Sequence, residues 1–209
     1  MNPGSATRLK FVGRTLASCL IYFGLLIWIF PAVSTAYVSV YCAAGNYVFG
    51  VFEPAARVRF TAAASGHEQA GTDVAVELTN RRTGFSYSIL TNSRFMGYVP
   101  TALVAALILA TPLGWRRRGR ALLWGLLAIN AFIAVRLLLS VLTALSGQSP
   151  LALFSPGPWL SACLRALFTL LVVSSAGAFV VPLIVWALAC FRRSEWQAIL
   201  NRASQSDSD

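Results

Sequence analysis

Charge is the scarcest commodity in this 209-residue sequence. Asp, Glu, Lys and Arg make up 11% of it, against 57% hydrophobic residues. A soluble globular domain carries about 25% charged residues, so the shortfall argues against a surface solvated by water all round. Histidine and lysine are nearly absent, with only His67 and Lys10. One histidine, in a polar strand-connecting stretch, leaves no nucleophile, base and orienting group for acyl or peptidyl transfer. His67-Glu68 also lacks the second histidine of an H-E-x-x-H zinc helix. The four cysteines, Cys19, Cys42, Cys163 and Cys190, form no C-x-x-C pair and no zinc spacing. They read as small hydrophobes, with Cys42 and Cys163 the one pair placed to meet near the outer face. No catalytic, cofactor-binding or metal-ligating residue is assigned. The internal repeat of a transporter is missing too, since the two halves share no short or broken segments at matching positions.

What is present is a set of apolar runs of bilayer length. A spanning helix needs about 20 mostly apolar residues, and lipid admits only helices or closed barrels because backbone polar groups find no water there. Four runs qualify, near residues 15–52, 95–114, 121–145 and 164–191, the last interrupted by Pro182. The net charge of +10 would suggest nucleic acid in a soluble protein. Here it sits at the ends of the runs, in Arg8/Lys10/Arg14, Arg116/Arg117/Arg118/Arg120 and Arg192/Arg193, which is the pattern of cytoplasmic loops. A single span before residue 53 puts all three clusters on one side, whereas two spans would separate them. The first run is therefore one helix, and its excess length is a helical extension or an interfacial stretch rich in Tyr37, Tyr41 and Tyr47. Pro31 is a candidate kink. A cleaved signal peptide ending near Ser34-Thr35-Ala36 is the rival reading of this segment, but the apolar character continues past that point.

Residues 53–94 follow another period. Arg57-Val58-Arg59-Phe60, Val74/Val76/Leu78 and Phe85/Tyr87/Ile89 alternate polar with apolar, as half-buried strands do. Asn80-Arg81-Arg82-Thr83-Gly84 joins the second to the third, with Gly84 suited to a left-handed position. The expected fold is a membrane α-helical bundle of four spans with a three-stranded antiparallel β insert on the periplasmic side. Its segments are a cytoplasmic N-terminus (1–14), a first helix with outer extension (15–52), the periplasmic meander (53–94), helices two to four (95–191) and a cytoplasmic tail (192–209). The meander is too small to stand alone, so its apolar face must rest on helices, membrane or a partner.

Two polar residues interrupt the apolar runs. Arg136 is an intramembrane ionisable residue and so a functional suspect. About 22 Å along its helix, it can either snorkel to the outer interface or pair with a partner or headgroup. Asn130, nearer the middle of the membrane, is expected to seek an interhelical hydrogen bond. Helical spacing sets the two about 120° apart, so they do not make one site. Ser174, Ser175 and Gly177 form a small-residue patch expected to serve close helix packing. Phe154 and Trp159, in and after a Pro/Gly/Ser-rich outer loop, are expected to anchor at the interface. The outer segment carries Arg57, Arg59, Arg81, Arg82 and Arg94 against four acidic residues, a solvated face or a contact for anionic headgroups.

The run from Thr91-Asn92-Ser93-Arg94-Phe95-Met96-Gly97-Tyr98-Val99-Pro100 into Thr101–Ala110, followed by Arg116-Arg117-Arg118-Gly119-Arg120 and Leu122-Leu123-Trp124-Gly125-Leu126-Leu127, resembles the small membrane proteins that accompany exosortases in Gram-negative bacteria. The layout of a long first helix, an outer β segment and a Pro-led second helix covers about residues 10–145. Exosortases themselves use a membrane-associated Cys, Arg and His. Here Asn92 and Ser93 stand before the second helix in place of a cysteine, and His67 precedes that stretch. The resemblance therefore implies a non-enzymatic accessory in the bacterial inner membrane, partnered by the lipid bilayer and an exosortase-type protein, with no cofactor and no nucleic acid. It carries no functional residue over. The alternatives are a degenerate sorting transpeptidase or membrane transferase using Arg136, and a small transporter or lipid-handling protein.

Overall fold

A computed structural model of the chain describes residues 3–50, 56–63, 72–146, 152, 154–174 and 176–191. Glu53, His67, Glu68, Ser175, Arg192, Arg193 and the rest of the tail lie outside the described residues. The elements run α1 (Pro3–Phe49), β1 (Ala56–Ala62), β2 (Val74–Asn80), β3 (Ser86–Thr91), a π-helical turn (Arg94–Tyr98) leading into α2 (Val99–Ala110), α3 (Trp115–Ala144), α4 (Pro158–Phe168) continued by a second π turn (Thr169–Val173), and α5 (Ala176–Cys190). The protein is mostly helical, with one small antiparallel sheet.

Two helices are long and apolar enough to cross a membrane, Gly13–Phe49 and Trp115–Ala144, each reaching a mean hydropathy of 2.2. Only 11% of the apolar window of the first is buried against the rest of the chain. Leu16, Leu20, Ile21 and Trp28 face outward. A helix core to a soluble domain would bury such a stripe, so these side chains need an apolar surrounding that the chain does not supply.

At 47 residues, α1 is about 70 Å long, roughly twice the hydrocarbon thickness. The helix continues through Pro31. Proline removes the N–H that Ile27 C=O would accept from and crowds the preceding turn. The neighbouring carbonyl, Leu26 C=O, accepts a 2.7 Å hydrogen bond from the Tyr98 hydroxyl, which ties α2 to α1 at that weak turn.

The ends of the helices sort by charge. Arg14 and Tyr22 of α1 share a hollow with Leu109, Pro112 and Arg118. At the same end Trp186 of α5 donates to Thr111 Oγ1 at 2.8 Å, and Arg117 donates to Cys190 C=O at 2.7 Å. The sheet lies at the other end, against the last turns of α1 and the C-terminal half of α3. A single core cluster joins Tyr41 and Phe49 of α1 to Phe60, Val76 and Leu78 of the sheet and to Ile133, Leu137 and Val141 of α3.

The sheet is a meander in the order β1-β2-β3, with Val58 opposite Leu78, Phe60 opposite Val76, and Val76 opposite Ile89. Alternation sends Val58, Phe60, Val74, Val76 and Leu78 to the helices and leaves Arg57, Arg59 and Glu77 outside. Gly84 has φ 69°, and its N–H closes the hairpin on Asn80 C=O. Asn80 Oδ1 accepts from the Arg82 and Thr83 N–H groups, an Asx arrangement that sets the loop.

The free edge of β1 is covered in an unusual way. The Asn46 side-chain amide accepts from Phe60 N–H at 2.7 Å and donates to Phe60 C=O at 3.0 Å. A helix side chain thus takes the place of a neighbouring strand. Gly45 makes the approach possible, since a Cβ there would fall 2.7 Å from the Phe60 ring.

Two boundaries depart from expectation. Helix α3 begins at Trp115, so the arginine cluster is helical, as arginine favours. The expected fourth helix is broken, with its interruption at Ser174 instead of Pro182. Ser174 is extended (φ −70°, ψ 125°), and α5 runs through Pro182. Pro182 leaves Ala178 C=O without its intrahelical N–H partner, within the helix that follows the break.

Replacing Asn46 by Ala strands both edge groups of Phe60. Water reaches one side of the site, so the cost is about 1 kcal/mol. Thermal unfolding in detergent is expected to show a lowered midpoint for Asn46→Ala, with Asn46→Asp in between because it keeps only the acceptor. Equal midpoints for all three would remove this role.

Candidate functional site

Helix α3 carries two arginines that face inward near its ends. Nineteen positions separate Arg117 from Arg136, about 28 Å along the axis. Arg117 caps the C-terminus of α5 through Cys190 C=O. Arg136 Nη2 donates to Val172 C=O at 3.2 Å, at the end of the π turn that closes the α4 segment. The last carbonyls of a helix have no intrahelical partner, and a cation there opposes the negative end of the macrodipole. The α3 arginines therefore terminate both halves of the broken fourth helix.

Arg136 is only 5% exposed. Its guanidinium carbon stands 5.9 Å from the centre of the Phe132 ring. Snorkelling is corrected on this point: the side chain turns into the protein and meets the frayed end of a neighbouring helix. Nε and Nη1 have no hydrogen-bond partner among the described residues, and neither has the Tyr41 hydroxyl nearby.

Tyr41 belongs to an aromatic column along the outer part of α1. Its ring lies 6.2 Å from Tyr37 and 6.4 Å edge-on from Phe60, and Tyr37 meets Tyr98 at 5.3 Å and Phe30 at 6.2 Å. Aromatic pairs at these separations add about 0.5–1.5 kcal/mol each beyond their burial. Arg94 lies 5.2 Å above Phe30. Gly97 permits the contact with α1, because a Cβ there would collide with the Tyr37 hydroxyl.

The sheet is latched to α2 through Asp73. One carboxylate oxygen accepts from Ser93 N–H and the other from the Ser93 hydroxyl, both at 2.6 Å. Ser93 is completely buried. The carboxylate thus sits at the N-terminal end of the helical run 94–110, where the dipole favours an anion.

Between the latch, the apolar face of β2–β3 and the outer parts of α3 and α4 lies a chamber of about 360 Å³, walled by Phe60, Val76, Ile89, Met96, Leu137 and Val172 among others. On its β3 side Tyr87 and Leu90 are half exposed.

The other sequence candidates fall elsewhere. Asn130 Nδ2 donates to Leu126 C=O on its own helix at 2.8 Å, so the expected interhelical bond is not made. Asn130 lines a separate groove between α1 and α3. Ser174 and Gly177 of the small-residue patch lie at the helix break: Ser174 N–H bonds Thr169 C=O, Gly177 N–H bonds Ser174 C=O, and a Cβ on Gly177 would press on Leu171 C=O. Ser175 lies outside the described residues. All four cysteines are free, so Cys42 and Cys163 are not joined. Among the described residues no three metal-ligating side chains cluster. Trp159 is 78% exposed, as a headgroup anchor requires.

Asp73, Asn46 and Gly45 were not singled out from sequence. Asp73 is an acidic residue directly before a strand, and Asn46 is one polar residue in an aromatic helix end. Neither pattern announces a tertiary hydrogen bond.

Comparison with protein families, curated proteins and solved structures found no match.

Removing the latch carboxylate leaves Ser93 N–H and hydroxyl buried and unpaired, at about 1–3 kcal/mol per group. Asp73→Ala is expected to speed hydrogen exchange across β2, β3 and the π turn by an order of magnitude or more, while amides in the middle of α3 keep their protection. Unchanged exchange in the sheet would show that the latch is dispensable.

Proposed function

We propose that this chain is a multi-pass protein of the bacterial inner membrane, with four crossings, cytoplasmic termini and a periplasmic sheet. It acts as a non-enzymatic accessory of an exosortase-type sorting system by docking to a membrane partner. In this reading the broken α4–α5 run is the fourth crossing, and the part of α1 beyond about Tyr37 is the outer extension on which the sheet rests. The gathering of Arg14, Arg117 and Arg118 at the end opposite the sheet supports this orientation.

The observation that carries the docking role is the inequality of the two sheet edges. On the β1 edge Asn46 bonds both peptide groups of Phe60. Among the described residues no comparable bond meets the β3 edge. Asn80 N–H bonds Phe85 C=O, so by antiparallel alternation Ser86, Ser88 and Leu90 turn their peptide groups outward. The exposed ring of Tyr87 stands on the same strand, and that of Phe85 directly precedes it. Unpaired edges are templates for another strand, and proteins usually blunt them. An edge left open beside apolar side chains fits strand addition by a partner.

Two experiments test this. On a cysteine-free background, a cysteine at position 88 should react with an impermeant maleimide in intact spheroplasts, and one at position 119 only after permeabilisation. The reverse pattern refutes the orientation. Ser88→Pro removes one outward N–H without touching the β2–β3 ladder, so it is expected to leave the unfolding midpoint within about 1 °C and to cut co-purification with the partner in mild detergent about tenfold. A wild-type chain recovered always alone would refute the docking role.

A further inference from the structure

We propose that the chamber beneath the sheet binds a single-chain amphiphile head first, with its oxyanion held by Arg136 and the Tyr41 hydroxyl and its apolar chain in the chamber.

Three observations converge here. The first is an unbalanced charge. A buried guanidinium with a single neutral partner is costly and is normally matched by an anion. The chain cannot supply that anion from α3, α4 or α5, because residues 78–194 contain no Asp or Glu. Of the two acidic residues described, Asp73 is held by Ser93 and Glu77 lies on the outer face of the sheet opposite Arg59. The second observation is the set of unused donors. Nε and Nη1 of Arg136 and the hydroxyl of Tyr41 are buried and unpaired among the described residues; Tyr41 lines a groove with Leu137, the neighbour of Arg136, and its ring packs on Phe60, a wall of the chamber. Unused guanidinium donors and a hydroxyl together suit a carboxylate or a phosphate monoester.

The third is the position of the chamber. Leu137, next to Arg136, and Val172, whose carbonyl Arg136 grips, both line it. Its walls are almost wholly apolar, and about 360 Å³ lies within the range of small-ligand sites. Since Arg136 precedes the lining residues Leu137, Ser140, Val141 and Ala144 along α3, the charge sits at the inner end of the chamber. The open β3 side, at Tyr87 and Leu90, is where a chain would enter or trail. A two-chain phospholipid lying in the bilayer would present its headgroup the other way round, so a single chain is specified. The shared chemistry is an oxyanion on one hydrocarbon tail, a fatty acid or an alkyl or prenyl phosphate.

The test uses the full chain in nanodiscs of zwitterionic phosphatidylcholine, titrated with dodecanoate, dodecyl phosphate or dodecanol and read by native mass spectrometry. One equivalent of an anionic probe is expected, at least tenfold tighter than the alcohol, and the stronger of the two anions identifies the headgroup. Arg136→Gln should abolish the preference for anions over the alcohol, and Tyr41→Phe should weaken anion binding severalfold. Arg136→Gln also loses a helix cap, so a second variant keeps the test decisive. Ala144→Phe fills the chamber and leaves Arg136 in place, and it is expected to lower binding of all three probes about tenfold at an unchanged unfolding midpoint. Anions bound no better than dodecanol, or binding unaffected by Ala144→Phe, would overturn the proposal and leave Arg136 as a helix cap completed by water.

Discussion

The bond from Arg136 to the Val172 carbonyl is the contact on which the helical half of this protein turns. A helix that breaks leaves carbonyls at one end and N–H groups at the other, and in an apolar surrounding those groups find no water. The break at Ser174 is tolerable because α3 brings a five-donor side chain to its C-terminal side. At the far end of α5 the same helix repeats the device with Arg117 on Cys190. α3 therefore does more than fill its place among the helices. It fixes both the position of the break and the position of the end, and so determines how the α4 and α5 segments stack. The shape of the chamber beneath the sheet follows from that stacking, since Phe168 and Val172 form part of its wall.

The sheet end is organised by a different economy. Three short strands bury one face on helices, as a meander of that size must. The buried face is held by polar contacts at its margins as well as by packing. Asn46 satisfies the β1 edge, Asp73 clamps the strand end to the π turn, and Asn80 forms the hairpin loop and donates to Ala152 C=O in the outer loop. Each of these side chains replaces a backbone partner that a larger sheet would provide. Among the described residues no such device meets β3, and on that asymmetry the proposed docking rests.

Much of this architecture was legible in the residues. Period-two alternation located all three strands to within two residues, and the left-handed Gly84 followed from its place after Asn80-Arg81-Arg82-Thr83. The excess length of the first apolar run became one long helix with the sheet on its outer turns. These features are local, set by patterns a few residues long. What was not legible depends on juxtaposition across the chain. Proline weighs more than serine in any local reading, so the interruption was expected at Pro182, yet the cap that makes a break affordable sits 36 residues upstream of Val172 and stabilises it at Ser174. Arg136 looked like a residue reaching for the interface because depth along a helix is computable from sequence and the facing neighbour is not.

A buried arginine on an apolar helix has more donors than one carbonyl can use. As a cap alone, Arg136 uses Nη2 and leaves Nε and Nη1 buried without a partner among the described residues. Arginine suits a place where one donor grips the protein and others remain for a second oxygen-bearing group. The neighbouring Tyr41, also buried with its hydroxyl unused, sits in an aromatic column where phenylalanine would pack as well. Buried polar groups retained without partners on facing helices, in a region poor in charge, fit a further group that meets them.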